Sequence, residues 1–341
     1  MSGIQGDVIF SQPQLGHLTD VMVTLKGVNE ILAWSIQELP MIYDGNAAMS
    51  CSASAVGALF DPLMAMKSAD YNRSCSPLSA SRFQDCAVGD LKGMLGNIDS
   101  NTANFTHQGL TIPIKGPNSI MGRTLVLYSG ATPKACALIT PVQPMLTAVA
   151  VFHTPVAGSV YLRQVNESSD TTVFVNLFYV NSAQSSTQFT WQINQGLASC
   201  EVPGEIFNPS NADGRNCTKN KQEECPVGDL TSKHGNITVS MATQGQSKTK
   251  AAFTDSNLPL SGVNSVIGET IVLFSNGDFQ KPFACAKIMK VKPRVLNAAF
   301  KASVHDGISG NFKFTQPSPF DPTTTEKIGR ASCRERVYVL V

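Results

Sequence analysis

The sequence predicts an all-β protein that consists of consecutive antiparallel sandwiches or barrels. Apolar residues alternate with other residues at a period of two in Val21-Val23-Leu25 and again in Val173-Val175-Leu177, which is typical of a half-buried strand. Glycine and proline separate many short apolar runs, and no long stretch has the period of a helix. A long segment between two cysteines also occurs twice, which predicts that one structural unit is built more than once.

The first copy of this segment runs from Cys51 to Cys136 and the second copy from Cys200 to Cys285. Both copies contain an inner pair of cysteines and end in a β-branched strand followed by Ala-Cys. They share these motifs in the same order: Phe-x-Pro (60–62 and 207–209), Val-Gly-Asp-Leu (88–91 and 227–230), Gly-Asn-Ile (96–98 and 235–237) and Asn-Ser-x-x-Gly (118–122 and 264–268). Shared order and spacing predict the same fold for both.

A second periodicity predicts where the units lie. The pattern Gly-x-φ-x-φ-x-Gln, where φ is apolar, begins at Gly6, Gly158 and Gly310, at equal intervals. We therefore predict one unit over residues 1–144, a second over 145–293, and the start of a truncated third over 294–326, with only its first strand present. Residues 327–341 look like a translated cloning adapter, which would not belong to the native fold.

Composition argues against several functional classes. Charged residues make up 15% of the chain and the net charge is +1, against roughly 25% charged residues in an average soluble protein. This charge favours neither nucleic acid nor an anionic membrane as a partner. No apolar run approaches the length of about 20 residues that spans a bilayer.

Cysteines and glycosylation acceptors indicate a secreted protein. Of the nine cysteines, eight recur at matched positions in the two copies and Cys333 is left over, a pattern that predicts disulfides in an oxidising compartment. Five Asn-x-Ser/Thr sequences point the same way and predict N-linked glycans. The acceptors are Asn72, Asn104, Asn166, Asn216 and Asn236.

The shared motifs together resemble those of the copper/zinc superoxide dismutases. Ser-Ile-x-Gly-Arg-Thr-Leu-Val at residues 119–126 carries much of this resemblance, and the motifs span almost the whole of each unit. The resemblance implies tandem eight-stranded Greek-key β-barrels. It also implies that Cys51–Cys136 and Cys200–Cys285 are the counterparts of the internal disulfide of that family.

The metal ligands that the resemblance would imply are missing from both copies, so we predict no cofactor and no catalytic residue. The aligned histidine positions are occupied by Ser35, Gln37, Leu59 and Tyr128, and by Gln192, Asn194, Ile206 and Phe274. Leu59, Ile206 and Phe274 are expected to fill the former metal pocket as packed side chains. Only the aspartates remain, Asp90 and Asp229, which we interpret as turn or helix caps, with a retained metal role as the alternative.

The inner cysteines lie in the loop that zinc organises in that family. We predict Cys75–Cys86 and Cys217–Cys225, because a pairing local to one copy is available to the other. Chain entropy gives roughly 2–3 kcal/mol for a disulfide that closes about ten residues, and roughly 4–5 for one that closes about 85. A zinc site of four thiolates is the alternative, but the paired Cys-x-x-Cys spacing typical of such sites is absent.

Other catalytic constellations are not found. There is no glycine-rich phosphate loop and no His-Glu-x-x-His. Two of the five histidines, His153 and His305, occupy equivalent places near the unit junctions. They are interpreted as exposed strand-end residues, with a weak metal or pH-sensitive contact as the alternative. The other three, His17, His107 and His234, have no counterpart in the other copy.

Tandem units of this type without metal ligands also resemble the bivalve haemolymph proteins pernin and cavortin. This resemblance implies a non-enzymatic, extracellular, self-assembling structural or carrier protein, whose partners are copies of itself. A divalent-cation transport protein and a residual copper enzyme are the alternatives. A flexible string of independent units is the alternative to assembly.

Overall fold

The computed structural model describes the following residues of the chain: 3–13, 18–43, 47–180, 186–196, 200, 202, 204–243, 246–247, 249–275, 279, 281–300 and 310–328. His17, His305, Cys333 and the predicted adapter tail beyond 328 lie outside this set. None of the helices within it is long and apolar enough to cross a bilayer.

The described residues are mostly strands with a few short helices, so the predicted all-β class is confirmed. The strands are β1 (Gln5–Ser11), β2 (Thr19–Lys26), β3 (Ala33–Gln37), β4 (Asn104–Leu110), β5 (Thr124–Ser129), β6 (Thr132–Leu138), β7 (Leu146–Phe152), β8 (Val156–Gln164), β9 (Thr171–Tyr179), β10 (Thr187–Asn194), β11 (Ile237–Thr243), β12 (Gln246–Ser247), β13 (Thr249–Asp255), β14 (Thr270–Ser275), β15 (Pro282–Lys290), β16 (Arg294–Phe300), β17 (Gly310–Gln316) and β18 (Thr324–Ile328). The helices are α1 (Ala47–Ser50), α2 (Ala53–Val56), α3 (Tyr71–Ser74), α4 (Arg82–Asp85), α5 (Leu91–Leu95) and α6 (Leu230–His234).

The N-terminal strands form two three-stranded antiparallel sheets, β1-β2-β4 and β3-β5-β6. Along β2 the side chains of Val21, Val23 and Leu25 are buried and those between them are not, as the period of two predicts. They pack in one apolar core with Trp34 and Ile36 of β3. The two sheets therefore enclose one apolar interior between them. Residues 1–144 and 145–293 keep the names first unit and second unit from the sequence prediction.

The strands from β7 to β15 form a closed barrel. Seven of them make a ring in the order β9, β11, β10, β14, β15, β7 and β8, closed by a short parallel pairing of Ser240 with Phe178. The resemblance implies eight strands, but β13 pairs along β9 over its whole length and stays outside the ring. The interior is apolar and contains Trp191, Phe189 and Ile193.

The glycine that opens the repeated strand pattern is required by close backbone approach. Gly6 and Gly158 have φ of +135° and +116°, and a Cβ on either would lie 1.9 or 2.1 Å from a carbonyl oxygen of the neighbouring strand. No side chain fits there. In β17 the same pattern begins at Gly310, where no other backbone comes close. A Cβ on Gly310 would meet no atom within 4 Å.

The residues from Arg294 onward form more than the single strand that we expected. β16, β17 and β18 make a three-stranded antiparallel sheet. The expectation was wrong because the pairing of β16 and β18 with β17 is not visible in the pattern of β17 alone. β18 also extends to Ile328, two residues into the stretch that we interpreted as an adapter.

The loop between β17 and β18 inserts Phe320 between the first and second units. Its side chain is 2% exposed and makes edge contacts with Tyr161 and Phe174, at ring-centroid distances of 5.1 and 6.0 Å. Leu39 of the first unit belongs to the same buried cluster. Phe320 therefore packs against both units at once.

An ion pair fixes this loop in place. Arg163 Nη2 of β8 lies 2.6 Å from Asp321 Oδ1, and the Arg163 side chain is 5% exposed. The Tyr43 amide of the first unit donates a 2.8 Å hydrogen bond to the carbonyl of Pro319. Because a buried guanidinium without its carboxylate is costly, the pair restricts where the loop can sit.

The second unit contains a buried charged cluster. Lys233 Nζ lies 2.7 Å from Asp255 Oδ2, His234 Nε2 lies 2.9 Å from the same oxygen, and the side chains are 0%, 2% and 0% exposed for Lys233, His234 and Asp255. Lys233 also donates to the carbonyls of Val227 and Asn257. Burial alone would raise the pKa of Asp255, but Lys233 and His234 hold it well below its usual range.

The first prediction concerns Phe320. The substitution Phe320→Ala should lower the free energy of unfolding by about 3 kcal/mol, because truncating a buried phenylalanine leaves a cavity. Urea denaturation measures this loss, and limited proteolysis measures the loosening between units. Leu296→Ala is the control, since Leu296 of β16 is 72% exposed. Equal small effects of both substitutions would show that the loop does not hold the units together.

The second prediction concerns Asp255. The pKa of Asp255 is lower in the folded chain than in the unfolded chain, where it is about 3.9. Its contribution to the free energy of unfolding is therefore complete above that pH and declines as the pH falls below it. Asp255→Asn should cost about 3–5 kcal/mol at neutral pH and should flatten the loss of stability between about pH 4 and pH 3. Urea denaturation across this range is the measurement. Asp213→Asn, at an exposed position, should leave the profile unchanged, and an unchanged profile in Asp255→Asn would contradict the assignment.

Candidate functional site

The region where the resemblance places a metal centre is held by the same backbone hydrogen bonds in both copies. In the first copy the Ile36 amide donates to Gly89, the Phe60 amide to Ile36, and the Gly89 amide to Phe60, at 2.8–2.9 Å. In the second copy Ile193, Phe207 and Gly228 make the same three bonds, also at 2.8–2.9 Å. We call this three-bond arrangement the backbone triangle.

The triangle explains the glycine of Val-Gly-Asp-Leu. A Cβ on Gly89 would lie 2.3 Å from the Ile36 carbonyl oxygen, and one on Gly228 would lie 2.3 Å from that of Ile193. The following leucines, Leu91 and Leu230, are 0% and 1% exposed. The motif thus combines a close backbone contact with an anchor in the core.

The two retained aspartates cap short helices. Asp90 Oδ1 accepts a 2.8 Å hydrogen bond from the Gly93 amide at the start of α5. Asp229 Oδ1 accepts a 2.9 Å bond from the Ser232 amide at the start of α6. These bonds satisfy amides that have no partner inside the helix, which is the capping role that we expected for both residues.

In the first copy the second carboxylate oxygen of Asp90 also has a partner. The Tyr71 hydroxyl donates to Asp90 Oδ2 at 2.8 Å and accepts from the Ala87 amide. Burial is the main cause that places the pKa of Tyr71 above its usual range, and the Asp90 carboxylate raises it further. Sequence reasoning missed Tyr71, because nothing in its spacing from Asp90 marks the contact.

All four predicted disulfides are formed. Cys51–Cys136 and Cys200–Cys285 each close 85 residues, and their Cα atoms are 5.7 Å apart in both copies. The inner pairs are Cys75–Cys86 and Cys217–Cys225. The alternative of a four-thiolate zinc site therefore loses its ligands, since a sulfur in a disulfide is not a thiolate.

One group of potential ligands does come together in the described part of the chain. Cys75, Cys86 and Asp90 have their ligand atoms within 4.8 Å of one another. Two of the three atoms are disulfide sulfurs, and both oxygens of Asp90 already accept hydrogen bonds. This group is therefore a structural crosslink that packs against a helix cap.

In the first copy the residues at the aligned copper positions do lie together. Ser35 and Gln37 are on β3, Leu59 forms a bridge with Gln37, and Tyr128 lies on the neighbouring strand β5. Gln37 Nε2 donates to Ser35 Oγ at 2.7 Å. Burial raises the pKa of Tyr128, and a side-chain hydrogen bond with Ser35 acts in the opposite direction. The three polar side chains thus form a hydrogen-bonded cluster.

In the second copy the corresponding residues are Gln192 and Asn194 on β10, Ile206, which bridges to Asn194, and Phe274 on β14. Asn194 Nδ2 donates to the Gly204 carbonyl. Phe274 is fully buried, as expected. Ile206 is only partly buried, and so is its counterpart Leu59; the expectation that both are packed is wrong, because each lies in a loop segment at the strand edge.

This donor set does not fit copper. Copper in proteins is held by imidazole nitrogens or soft sulfur ligands, and the eight aligned positions offer hydroxyl, amide, phenol and hydrocarbon groups. A phenol whose pKa is raised remains protonated at neutral pH and is a poor ligand.

The remaining predicted features lie on the surface or apart from this region. His153, one of the described histidines, is exposed, and the other junction histidine lies outside the described residues. All five glycosylation acceptors are exposed: Asn72 in α3, Asn104 at the start of β4, and Asn166, Asn216 and Asn236 in loops. Their exposure is compatible with glycan attachment, which stays a prediction.

The chain is similar in sequence to known Cu-Zn superoxide dismutases. The chain is 33% identical over 137 residues to a Cu-Zn superoxide dismutase of Schizosaccharomyces pombe, covering 39% of this chain and 81% of that protein. It is 30% identical over 136 residues to the Cu-Zn superoxide dismutase of Podospora anserina, with the same coverage of both chains. No family model matches the chain.

A solved structure is also similar. It is a mutant of superoxide dismutase 5 of Candida albicans in which one aspartate is replaced by asparagine, with 22% identity and a TM-score of 0.32, covering 43% of this chain and 93% of that one. The score is low, so the family assignment rests on sequence identity over four fifths of the relatives' length. On that basis the chain belongs to the copper/zinc superoxide dismutase family.

Proposed function

We propose that this protein is a non-enzymatic, secreted, self-associating structural or carrier protein built from consecutive superoxide dismutase-like units. The observation that carries the proposal is the donor set at the aligned metal positions, which contains no imidazole in either copy. Histidines are what gives copper its affinity and potential in a protein site. In this proposal the protein is similar to the bivalve haemolymph proteins pernin and cavortin.

Two further features support an extracellular role. Disulfides form and persist mainly in oxidising compartments, and the described residues form four of them. The five exposed acceptor asparagines would carry glycans there, and the chain has few charges to keep it soluble.

A residual copper enzyme is the second candidate. The relatives in Schizosaccharomyces pombe and Podospora anserina are superoxide dismutases, which favours an enzyme. Against it stand the absence of histidine at all eight aligned positions and the hydrogen bonds that already occupy Ser35 and Gln37.

Metal analysis separates the candidates. Protein exposed to copper and zinc and then treated with a chelator should retain far less than one copper per copy and should show no dismutase rate above that of free copper. Several loosely held divalent ions would instead support a cation carrier. A dismutase rate that survives chelation, with about one copper per copy, would establish the enzyme and end the proposal.

A gain-of-function variant is the matched control for this measurement. Ser35→His, Gln37→His, Leu59→His and Tyr128→His together place four imidazoles where the strands already bring these positions together. This variant should bind copper more tightly than the unmodified chain by at least about tenfold. If it does not, the alignment of these positions with a metal site is wrong.

Self-association is supported by apolar side chains on outward strand faces. Ile9 of β1 and Met22 of β2 are direct cross-strand partners and are 45% and 43% exposed. A surface of this kind, with a net charge of +1, offers little repulsion between copies. Closed symmetry would give a finite particle and open contacts a filament.

Light scattering on protein from its natural source should show a particle many times heavier than one chain. The double substitution Ile9→Lys and Met22→Lys should reduce that mass, because two lysines per copy would face each other across the contact. Val142→Lys is the control, at an exposed apolar residue outside the sheets. A monomer mass that persists over about a hundredfold range of concentration would refute self-association.

A further inference from the structure

A cleft of about 350 Å³ lies between the first and second units. Its size falls in the range of small-ligand pockets, roughly 300–1,000 Å³. Leu59 and Phe60 of the first unit and Phe253 of β13 contribute apolar walls. Both units are needed to form it.

Three cations line this cleft: Arg123, Lys219 and Lys250. Among the described side chains none of them is in an ion pair. The Arg123 guanidinium donates to the carbonyl of Glu38 and lies 4.3 Å from the Phe60 ring centroid. Burial lowers the pKa of Arg123 to about 10, so the guanidinium keeps its charge at neutral pH. Burial also lowers the pKa of Lys250.

Both carboxylates at the cleft accept hydrogen bonds from nearby backbone amides. Asp61 accepts hydrogen bonds from the Ala65 and Met66 amides, at 2.8 and 2.9 Å. Glu38 Oε1 accepts one from the Ala58 amide at 3.2 Å. Glu38 also acts electrostatically on Arg123, and Lys250 Nζ donates a 3.0 Å hydrogen bond to the carbonyl of Ser54. Three cations against two carboxylates leave the lining with a net positive charge.

A buried polar atom belongs to the same lining. Thr254 is 1% exposed and lines the cleft, and its Oγ1 has no hydrogen-bond partner in the described structure. Buried hydroxyls normally have such a partner. A ligand oxygen is one group that would provide it.

From these observations we propose that the cleft binds a small amphipathic organic anion, with its apolar body against Leu59, Phe60 and Phe253 and its anionic group near Lys219 and Lys250. The charge of the lining selects an anion, and the aromatic walls select a body with apolar surface. The inference goes beyond the proposed function, because the cleft lies within one chain and would bind its ligand whether or not chains associate.

The test uses anilinonaphthalene sulfonate, an amphipathic anion that fluoresces on binding, with the full chain. We expect saturable binding of one probe per chain. The variant with Lys219→Met and Lys250→Met should bind on the order of tenfold more weakly, and the uncharged counterpart phenylnaphthylamine should bind the unmodified chain more weakly by a similar factor. Lys287→Met is the matched control, since Lys287 is an exposed lysine on strand β15 of the same unit, and it should bind as the unmodified chain does.

A third variant separates the cleft from the lysines themselves. Phe320→Leu keeps an apolar side chain but loosens the packing between the units, so it should weaken binding while both lysines remain. Thermal denaturation of every variant confirms that it is folded before the titration. Absence of saturable binding would overturn the proposal, as would equal affinity for the charged and uncharged probes or equal affinity of the lysine variant and its control.

Discussion

The backbone triangle is the constraint on which the rest of each unit depends. Because Ile36, Phe60 and Gly89 bond through main-chain atoms, the Phe-x-Pro segment and the Val-Gly-Asp-Leu turn are tied to the same strand without help from any side chain. Those two segments carry the bridging position Leu59 and the capping Asp90. Their geometry can therefore persist when the side chains around them change, since hydrogen bonds between backbone groups are insensitive to side-chain identity.

The two copies show how one backbone accommodates different chemistry. In the first copy Asp90 receives the Tyr71 hydroxyl beside the Cys75–Cys86 disulfide. In the second copy the helix that Asp229 caps contributes Lys233 and His234 to a buried pair with Asp255. Each copy thus has its own polar network next to the same cap. A retained aspartate is explained in both by the cap alone, so its presence says little about metal.

Local pattern predicted much of this structure, and long-range packing explains what it missed. The alternation at Val21-Val23-Leu25 predicted β2, and duplication predicted the disulfides, since both are properties of nearby or repeated sequence. The insertion of Phe320 and the pairing of Lys233 with Asp255 depend on contacts between distant segments, and no spacing encodes them. Leu59 is more exposed than expected because it lies in a loop segment at the edge of a strand, and the apolar character of a residue does not reveal that placement.

The position of Phe320 in the chain has a consequence for how the protein is made. A ribosome releases the N-terminal units first, and such units generally fold as they emerge. The residue that packs between them is synthesised only afterwards, with the loop from β17 to β18. The two earlier units must therefore acquire their own cores while their facing surfaces, Leu39, Tyr161 and Phe174 among them, are still in contact with water. During that interval the nascent chain presents an aromatic surface to which chaperones or a neighbouring nascent chain can bind.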